Sequence, residues 1–216
     1  MTPAPSRTRI KFCGLTRAED VRVAVAQGVD ALGFVMWPGS KRAIDVATLA
    51  TLAAEVPAFV TRVGLFVDAD PALVEECAPH LDMLQFHGSE PPADCARYAT
   101  AWIKALRMRD GVDLHREAER YAGASALLLD AYRPGMPGGT GEVFDWSRIP
   151  ARLAKPVILA GGLTPDTIGR AVRRVAPHAV DVSGGIEAAP GRKDPAKMTA
   201  FVKRVAAADR ASQAAS

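Results

Sequence analysis

Eight short apolar runs recur along the chain, at residues 10–13, 31–36, 63–67, 83–86, 102–106, 126–129, 157–160 and 179–182. Between and after them lie segments whose apolar residues recur every three or four positions, at 18–27, 46–55, 71–78, 91–98, 114–121, 146–153, 165–175 and 195–207. The short runs predict strands and the spaced segments helices. Strands that alternate with helices must pair in parallel through crossover connections. Four helix starts are marked by a capping oxygen, at Thr16, Asp70, Thr164 and Asp194, the last three directly before Pro71, Pro165 and Pro195. Eight such units in 216 residues predict an α/β fold of one domain, a (β/α)8 TIM barrel. A doubly wound open sheet more often has five or six strands and a Gly-x-Gly-x-x-Gly turn after the first, and Gly14 begins no such turn. The barrel is expected over 9–207, with a disordered or extended segment at 1–8 and a frayed, small-residue tail at 208–216.

Composition narrows the function. With 49% hydrophobic residues the chain can bury a large core, and a net charge of +3 without a basic run interleaved with aromatics does not call for nucleic acid. Cys13, Cys77 and Cys95 form no Cys-x-x-Cys pair, and His80, His87, His115 and His178 lack metal-ligand spacing. These features predict a reduced cytoplasmic protein without a structural metal. The polar, proline-rich start is unlike a signal peptide, and no apolar run reaches the ~20 residues of a membrane span.

In a parallel barrel all strand ends of one polarity form a single catalytic rim, so Cys13, His87, Asp130, Gly161 and Ser183 should face one bowl. Alternation along the first strand turns Lys11 and Cys13 inward and Ile10 and Phe12 toward the helices. The same count turns Leu128 and Asp130 inward, and Asp181 with Ser183. A lone cysteine is more often an inert core residue. At a strand tip before Gly14 it is instead open to the bowl, where the ammonium of Lys11 should favour the thiolate, the form able to take a proton. Asp130 precedes a connection of roughly fifteen residues, longer than an ordinary βα loop, and its Gly and Pro residues from Pro134 to Gly141 suit a lid. A carboxyl there is better placed for acid chemistry than for capping a helix.

The runs Leu159-Ala-Gly-Gly-Leu-Thr-Pro165 and Asp181-Val-Ser-Gly-Gly-Ile-Glu187 follow the seventh and eighth strands. Tight glycine turns that aim amides and a helix N-terminus at one point suit a phosphate, and these two loops are its usual seat in such barrels. Arg42, in Trp37-Pro-Gly-Ser-Lys-Arg42, is either a solvated surface charge or a guanidinium able to grip a carboxylate through two hydrogen bonds.

Together these stretches, with Lys11-Phe-Cys-Gly-Leu-Thr16, Gly33-Phe-Val-Met-Trp37, Val63-Gly-Leu-Phe-Val67, Leu84-Gln-Phe-His-Gly88, Gly138-Gly-Thr-Gly141 and Lys193-Asp194, resemble the phosphoribosylanthranilate isomerase family from Arg9 to about Val205. The resemblance implies a cofactor-free Amadori rearrangement of N-(5-phosphoribosyl)anthranilate in tryptophan biosynthesis. It makes Cys13 the general base and Asp130 the general acid. It also makes Arg42 the holder of the anthranilate carboxylate, and seats the phosphate near Gly161, Gly162, Ser183 and Gly184, with Asp181 and His87 as further substrate-binding residues. Where many relatives have Ser-Ser-Gly, this chain has Ser183-Gly-Gly185, so one hydroxyl contact to phosphate is missing.

Related barrels fit less well. Indole-glycerol-phosphate synthase needs a catalytic lysine and glutamate set, and the dual-substrate histidine and tryptophan isomerase uses aspartates at strands one and five, which here end in Cys13 and Arg107. A metal-dependent epimerase needs several histidine and carboxylate ligands at strand tips. A phosphosugar-binding barrel without turnover would need neither Cys13 nor Asp130. The expected partner is a small phosphorylated substrate, with no nucleic acid and no membrane, and the expected state is a monomer, with a homodimer as the alternative.

Overall fold

The computed structural model describes residues 7–131 and 144–214. Eight parallel strands close into a barrel in sequence order, each hydrogen-bonded to the next and the eighth to the first. They are β1 (Arg9–Cys13), β2 (Ala31–Val35), β3 (Thr61–Phe66), β4 (Met83–Phe86), β5 (Trp102–Met108), β6 (Leu127–Ala131), β7 (Val157–Leu159) and β8 (Ala179–Val182). Helices α1 (Ala18–Ala26), α2 (Val46–Ala54), α3 (Pro71–Cys77), α4 (Pro92–Ala96) and α5 (Leu114–Arg120) follow the first five strands, and α6 (Pro165–Val175) and α7 (Pro195–Ala214) follow the last two. A short hairpin, β9 (Glu187–Ala189) with β10 (Arg192–Lys193), is inserted between β8 and α7.

Period-two alternation divides the apolar side chains into two sets. Ile103, Ala105, Leu128, Ile158, Ala160 and Ala179 pack together inside the barrel, while Phe12, Leu32, Phe34, Phe66, Leu84, Leu127, Leu129 and Phe201 fill the layer between strands and helices. Lys11 and Asp181 are partners across the β1–β8 register and form an ion pair at 2.8 Å with both side chains buried. Gln85 is also fully buried. The barrel centre therefore carries polar groups directly beneath the rim, where an apolar plug would leave nothing to bind.

Helix starts follow the capping signals at three of four positions. Asp70 accepts from the Ala72 amide, Asp194 from those of Ala196 and Lys197, and Thr164 forms a reciprocal capping box with Thr167. At the fourth, Arg17 occupies the cap without a side-chain bond, and Thr16 Oγ1 donates to the Gly191 carbonyl at 2.5 Å. The helix expected at 146–153 is a single 3-10 turn, Trp146–Arg148. Pro150 explains this, because its ring would clash with the Trp146 carbonyl and it has no amide to donate. Asp145 caps the turn instead.

The frayed tail expected at 208–216 is corrected over 208–214, which continue α7. Ala208 is buried, and Asp209 accepts from both the amide and the hydroxyl of Thr8, at 2.9 and 2.7 Å. That contact also fixes Thr8, at the end of the segment expected to be loose, and Arg7 pairs with Asp30. The lid reading of residues 132–143, with its glycines and prolines, lies outside the described residues. No described helix is long and apolar enough to cross a membrane.

Candidate active site

A cavity of about 500 Å³ opens at the C-terminal ends of the strands. Cys13 from β1, His87 just beyond β4, Asp130 from β6 and Asp181 from β8 line it. So do Arg42 and the two glycine turns, with Gly161, Gly162, Ser183 and Gly184. All nine residues singled out from the sequence thus face one space. Val35, Trp37, Leu65 and Val67 give the wall across from the glycine turns an apolar surface.

The glycine turns are geometrically obligatory. Gly161 has φ +81°, and a Cβ there would lie 2.3 Å from the Ala131 amide nitrogen and 2.9 Å from Asp130 Oδ1. Gly14 has φ +74°, and a Cβ would meet Arg42 Cδ at 2.5 Å and Ser183 Oγ at 2.9 Å. One glycine lets Asp130 approach the turn after β7, and the other lets the Arg42 stem pass the end of β1 that carries Cys13.

Asp130 is 6% exposed and lies 3.2 Å from His87 Nε2. On the other side of the ring, Gln85 Nε2 is 3.2 Å from His87 Nδ1, and Gln85 Oε1 has no partner among the described residues. With the amide donating to Nδ1, the imidazole carries its proton on Nε2 and donates it to Asp130 Oδ2. The turn that presents His87 is clamped from below. Glu90 accepts from the amides of Asp68 and Gly88 and from Lys104 Nζ, whose ammonium also donates to the Gly88 carbonyl.

Cys13 is buried, and its thiol is pushed above its ordinary range. Burial is the main cause. Lys11 and Lys193 pull the other way, while the Asp181 carboxylate adds to the rise. Lys11 does favour the thiolate, as its place on the inward face of β1 predicts, but it also pairs with Asp181, and desolvation of the sulfur outweighs its help.

Arg42 does grip a carboxylate through two parallel bonds, but that of Glu187, with Nε to Oε1 at 2.7 Å and Nη2 to Oε2 at 2.6 Å. Lys193 Nζ donates to Glu187 Oε1, to the Cys13 carbonyl and to the Ser183 carbonyl, at 2.9, 2.7 and 3.1 Å. The two cations hold Glu187 below the usual carboxylate range despite its burial. Sequence reasoning quoted Glu187 and Lys193 as part of a motif but gave them no role, since their partners lie up to 180 positions away. It also passed over Arg107, which lines the cavity in register with Asp130 and makes no ion pair among the described residues. The alternation that turns Ile103 and Ala105 inward was the available signal.

Comparisons with known proteins agree with this geometry. Residues 10–204 match the family model described as N-(5'-phosphoribosyl)anthranilate (PRA) isomerase. The chain belongs to that family. A relative named N-(5'-phosphoribosyl)anthranilate isomerase from Chromohalobacter salexigens is 68% identical over 205 residues, covering 95% of this chain and 97% of its own. Among solved structures, the phosphoribosyl anthranilate isomerase of Thermus thermophilus superposes with a TM-score of 0.80 at 37% identity, covering 93% and 99% of the two chains. A further isomerase, solved in complex with reduced 1-(o-carboxyphenylamino)-1-deoxyribulose 5-phosphate, superposes with a TM-score of 0.75 at 35% identity over 93% and 99%.

Proposed function

We propose that this family member converts N-(5-phosphoribosyl)anthranilate into 1-(2-carboxyphenylamino)-1-deoxyribulose 5-phosphate by general acid and base catalysis, as a step of tryptophan biosynthesis. The observation that carries the reading is the opening of Cys13 and Asp130 onto one cavity that also holds both glycine turns. The phosphate sits on the amides around Gly161, Gly162, Ser183 and Gly184, and the aromatic ring lies against Trp37, Leu65 and Val67. Anchors at both ends fix the sugar carbons between acid and base, which turns a chance encounter into a positioned one.

Protonated Asp130 gives its proton to the furanose ring oxygen. The C1–O bond breaks as the anilino nitrogen lone pair forms the C1=N iminium. The sulfur of Cys13 then removes the C2 proton, and those bonding electrons neutralise the iminium to an enolamine, which tautomerises to the ketone. Burial raises the thiol, so the sulfur gives up its own proton to solvent before it takes the one on C2; the iminium places a positive charge beside it, which joins Lys11 and Lys193 in favouring that loss and the thiolate that results. His87 holds Asp130 in place by donating its Nε2 proton to Oδ2, which leaves the acid proton on Oδ1.

Neither a metal nor an organic cofactor takes part in this scheme. The proposed state is a monomer, with Phe59 the exposed large apolar side chain among the described residues. The proposed location is the cytoplasm, which the three free cysteines support, and no nucleic-acid partner is proposed. Purified protein given freshly made N-(5-phosphoribosyl)anthranilate should abolish the substrate's fluorescence, before and after chelation, while sedimenting as one chain. Unchanged fluorescence at micromolar enzyme would overturn the isomerase reading.

A further inference from the structure

Glu187 points toward the cavity from β9 and carries a negative charge in a site that has to receive two anionic groups. Left alone, such a carboxylate would repel phosphate and anthranilate alike. It is not alone. Its side chain is 5% exposed and is neutralised by Arg42 and Lys193, so the three groups together carry one positive charge.

The way Arg42 is held decides what it can still do. A guanidinium has five N–H groups. Glu187 takes the one on Nε and one on Nη2. The end of the fork, formed by Nη1 and the second N–H of Nη2, stays unused among the described residues, and Arg42 lines the cavity. That end can accept a second carboxylate in the same two-pronged geometry. The stem is fixed as well, threaded past Gly14, where a Cβ would collide with Arg42 Cδ.

We propose that Glu187 is a positioning residue for substrate recognition: it clamps one edge of Arg42 so that the opposite end of the guanidinium is presented, already ordered, to the anthranilate carboxylate. The inference rests on the isomerase reading above and deepens it by assigning the selectivity for an ortho-carboxylated aryl amine to the pair rather than to Arg42 alone. Two features make Glu187 suited to the task. Its other oxygen contacts tie it to Lys193 and the Gly191 amide, so it cannot swing away with the arginine. Lys193 in turn holds the carbonyls of Cys13 and Ser183, so the carboxylate anchor, the base and the phosphate turn are referenced to one buried charge cluster. Ordering the fork before substrate arrives spares binding the cost of immobilising a long side chain.

The test compares two substrates on one variant. Wild type and Glu187→Gln are assayed with N-(5-phosphoribosyl)anthranilate and with N-(5-phosphoribosyl)aniline, which lacks only the carboxylate. The variant is expected to raise KM for the natural substrate on the order of 10- to 100-fold, the range of a hydrogen bond to a charged group, with kcat changed only a few-fold. With the aniline compound, wild type and variant should have KM values within about two-fold of each other, since the interaction at stake is absent. If the Gln variant fails to fold, Glu187→Asp, which keeps the charge but draws the carboxylate back from Arg42 Nε and Nη2, should show the same selective loss. Equal losses on both substrates in a folded variant, or a loss confined to kcat, would overturn the proposal. Failure of wild type to turn over the natural substrate would instead overturn the isomerase reading on which it rests.

Discussion

The two sides of the cavity are built on different principles. Around Cys13, charged groups are paired in a closed set: Lys11 with Asp181 below the sulfur, and Arg42 and Lys193 with Glu187 above it, all from β1, β8, the β9–β10 hairpin and the loop after β2. Around Asp130 there is one imidazole, oriented by one buried glutamine amide, with the Ala131 and Gly161 backbones close by. Cys13 therefore sits in a frame of buried ion pairs whose integrity is also that of the β1–β8 junction. Asp130 depends on a single hydrogen-bonded chain that can be altered without touching that frame.

Removing the reacting groups tests whether both sides matter equally to chemistry. Cys13→Ala and Asp130→Asn should each lower kcat by ~10²–10⁴-fold or more, the range for one acid or base, while circular dichroism and melting stay close to wild type. Near-normal turnover in either purified, folded variant would break the symmetry of roles on which the mechanism is built.

The supporting groups should respond in opposite ways. Lys193→Met leaves Glu187 with one partner fewer and two backbone carbonyls, of Cys13 and Ser183, without this donor. Breaking a buried pair of this kind costs about 3–5 kcal/mol, a fall in Tm on the order of 10 °C for a chain of this size. His87→Ala should cost little stability but lower kcat about 10-fold or somewhat more, because Asp130 loses its orienting donor. Thermal melts and rates on the two variants separate frame from chemistry; a His87 variant that melts as early as the Lys193 variant would erase the distinction.

Much of this division was readable in the residues before any coordinates. Strand limits, inward faces and the rim followed from period-two alternation and from turns rich in glycine, because those signals are local and the barrel imposes one polarity on them. What escaped was of two kinds. Some local signals were outweighed. The apolar spacing of 146–153 masked the veto of Pro150, and the small residues of 208–214 looked like a fraying tail although alanine is the strongest helix former and Ala208 finds a buried place. The rest was not local at all. Thr16 bonds to Gly191, Arg42 to Glu187 and Lys193 to Cys13, over 175, 145 and 180 positions, and no spacing rule encodes such partners. The net rise of the Cys13 thiol belongs here too, since Lys11, which lowers it, is two residues away in sequence while Asp181, which raises it and pairs with Lys11, comes from β8.

That last point makes the finest test of the comparison, because it asks whether the frame around the base tunes the sulfur as well as supports the barrel. With the thiol raised above its ordinary value of 9.0, the thiolate fraction at neutral pH is lower than that of free cysteine. Alkylation of Cys13 by iodoacetamide, followed by peptide mass analysis to separate it from Cys77 and Cys95, should be slow at pH 7 and climb with a midpoint above 9. Asp181→Asn removes a negative charge that raises the thiol and releases the Lys11 ammonium, so both changes move the midpoint down. In the proposed mechanism the substrate iminium acts in the same direction, as a cation that appears beside the sulfur only after Asp130 has opened the ring. A substituted protein in which the midpoint stays put or rises would mean that Asp181 does not govern the sulfur electrostatically, and the idea that a charge arriving with the substrate converts the buried thiol into a base would lose its physical footing.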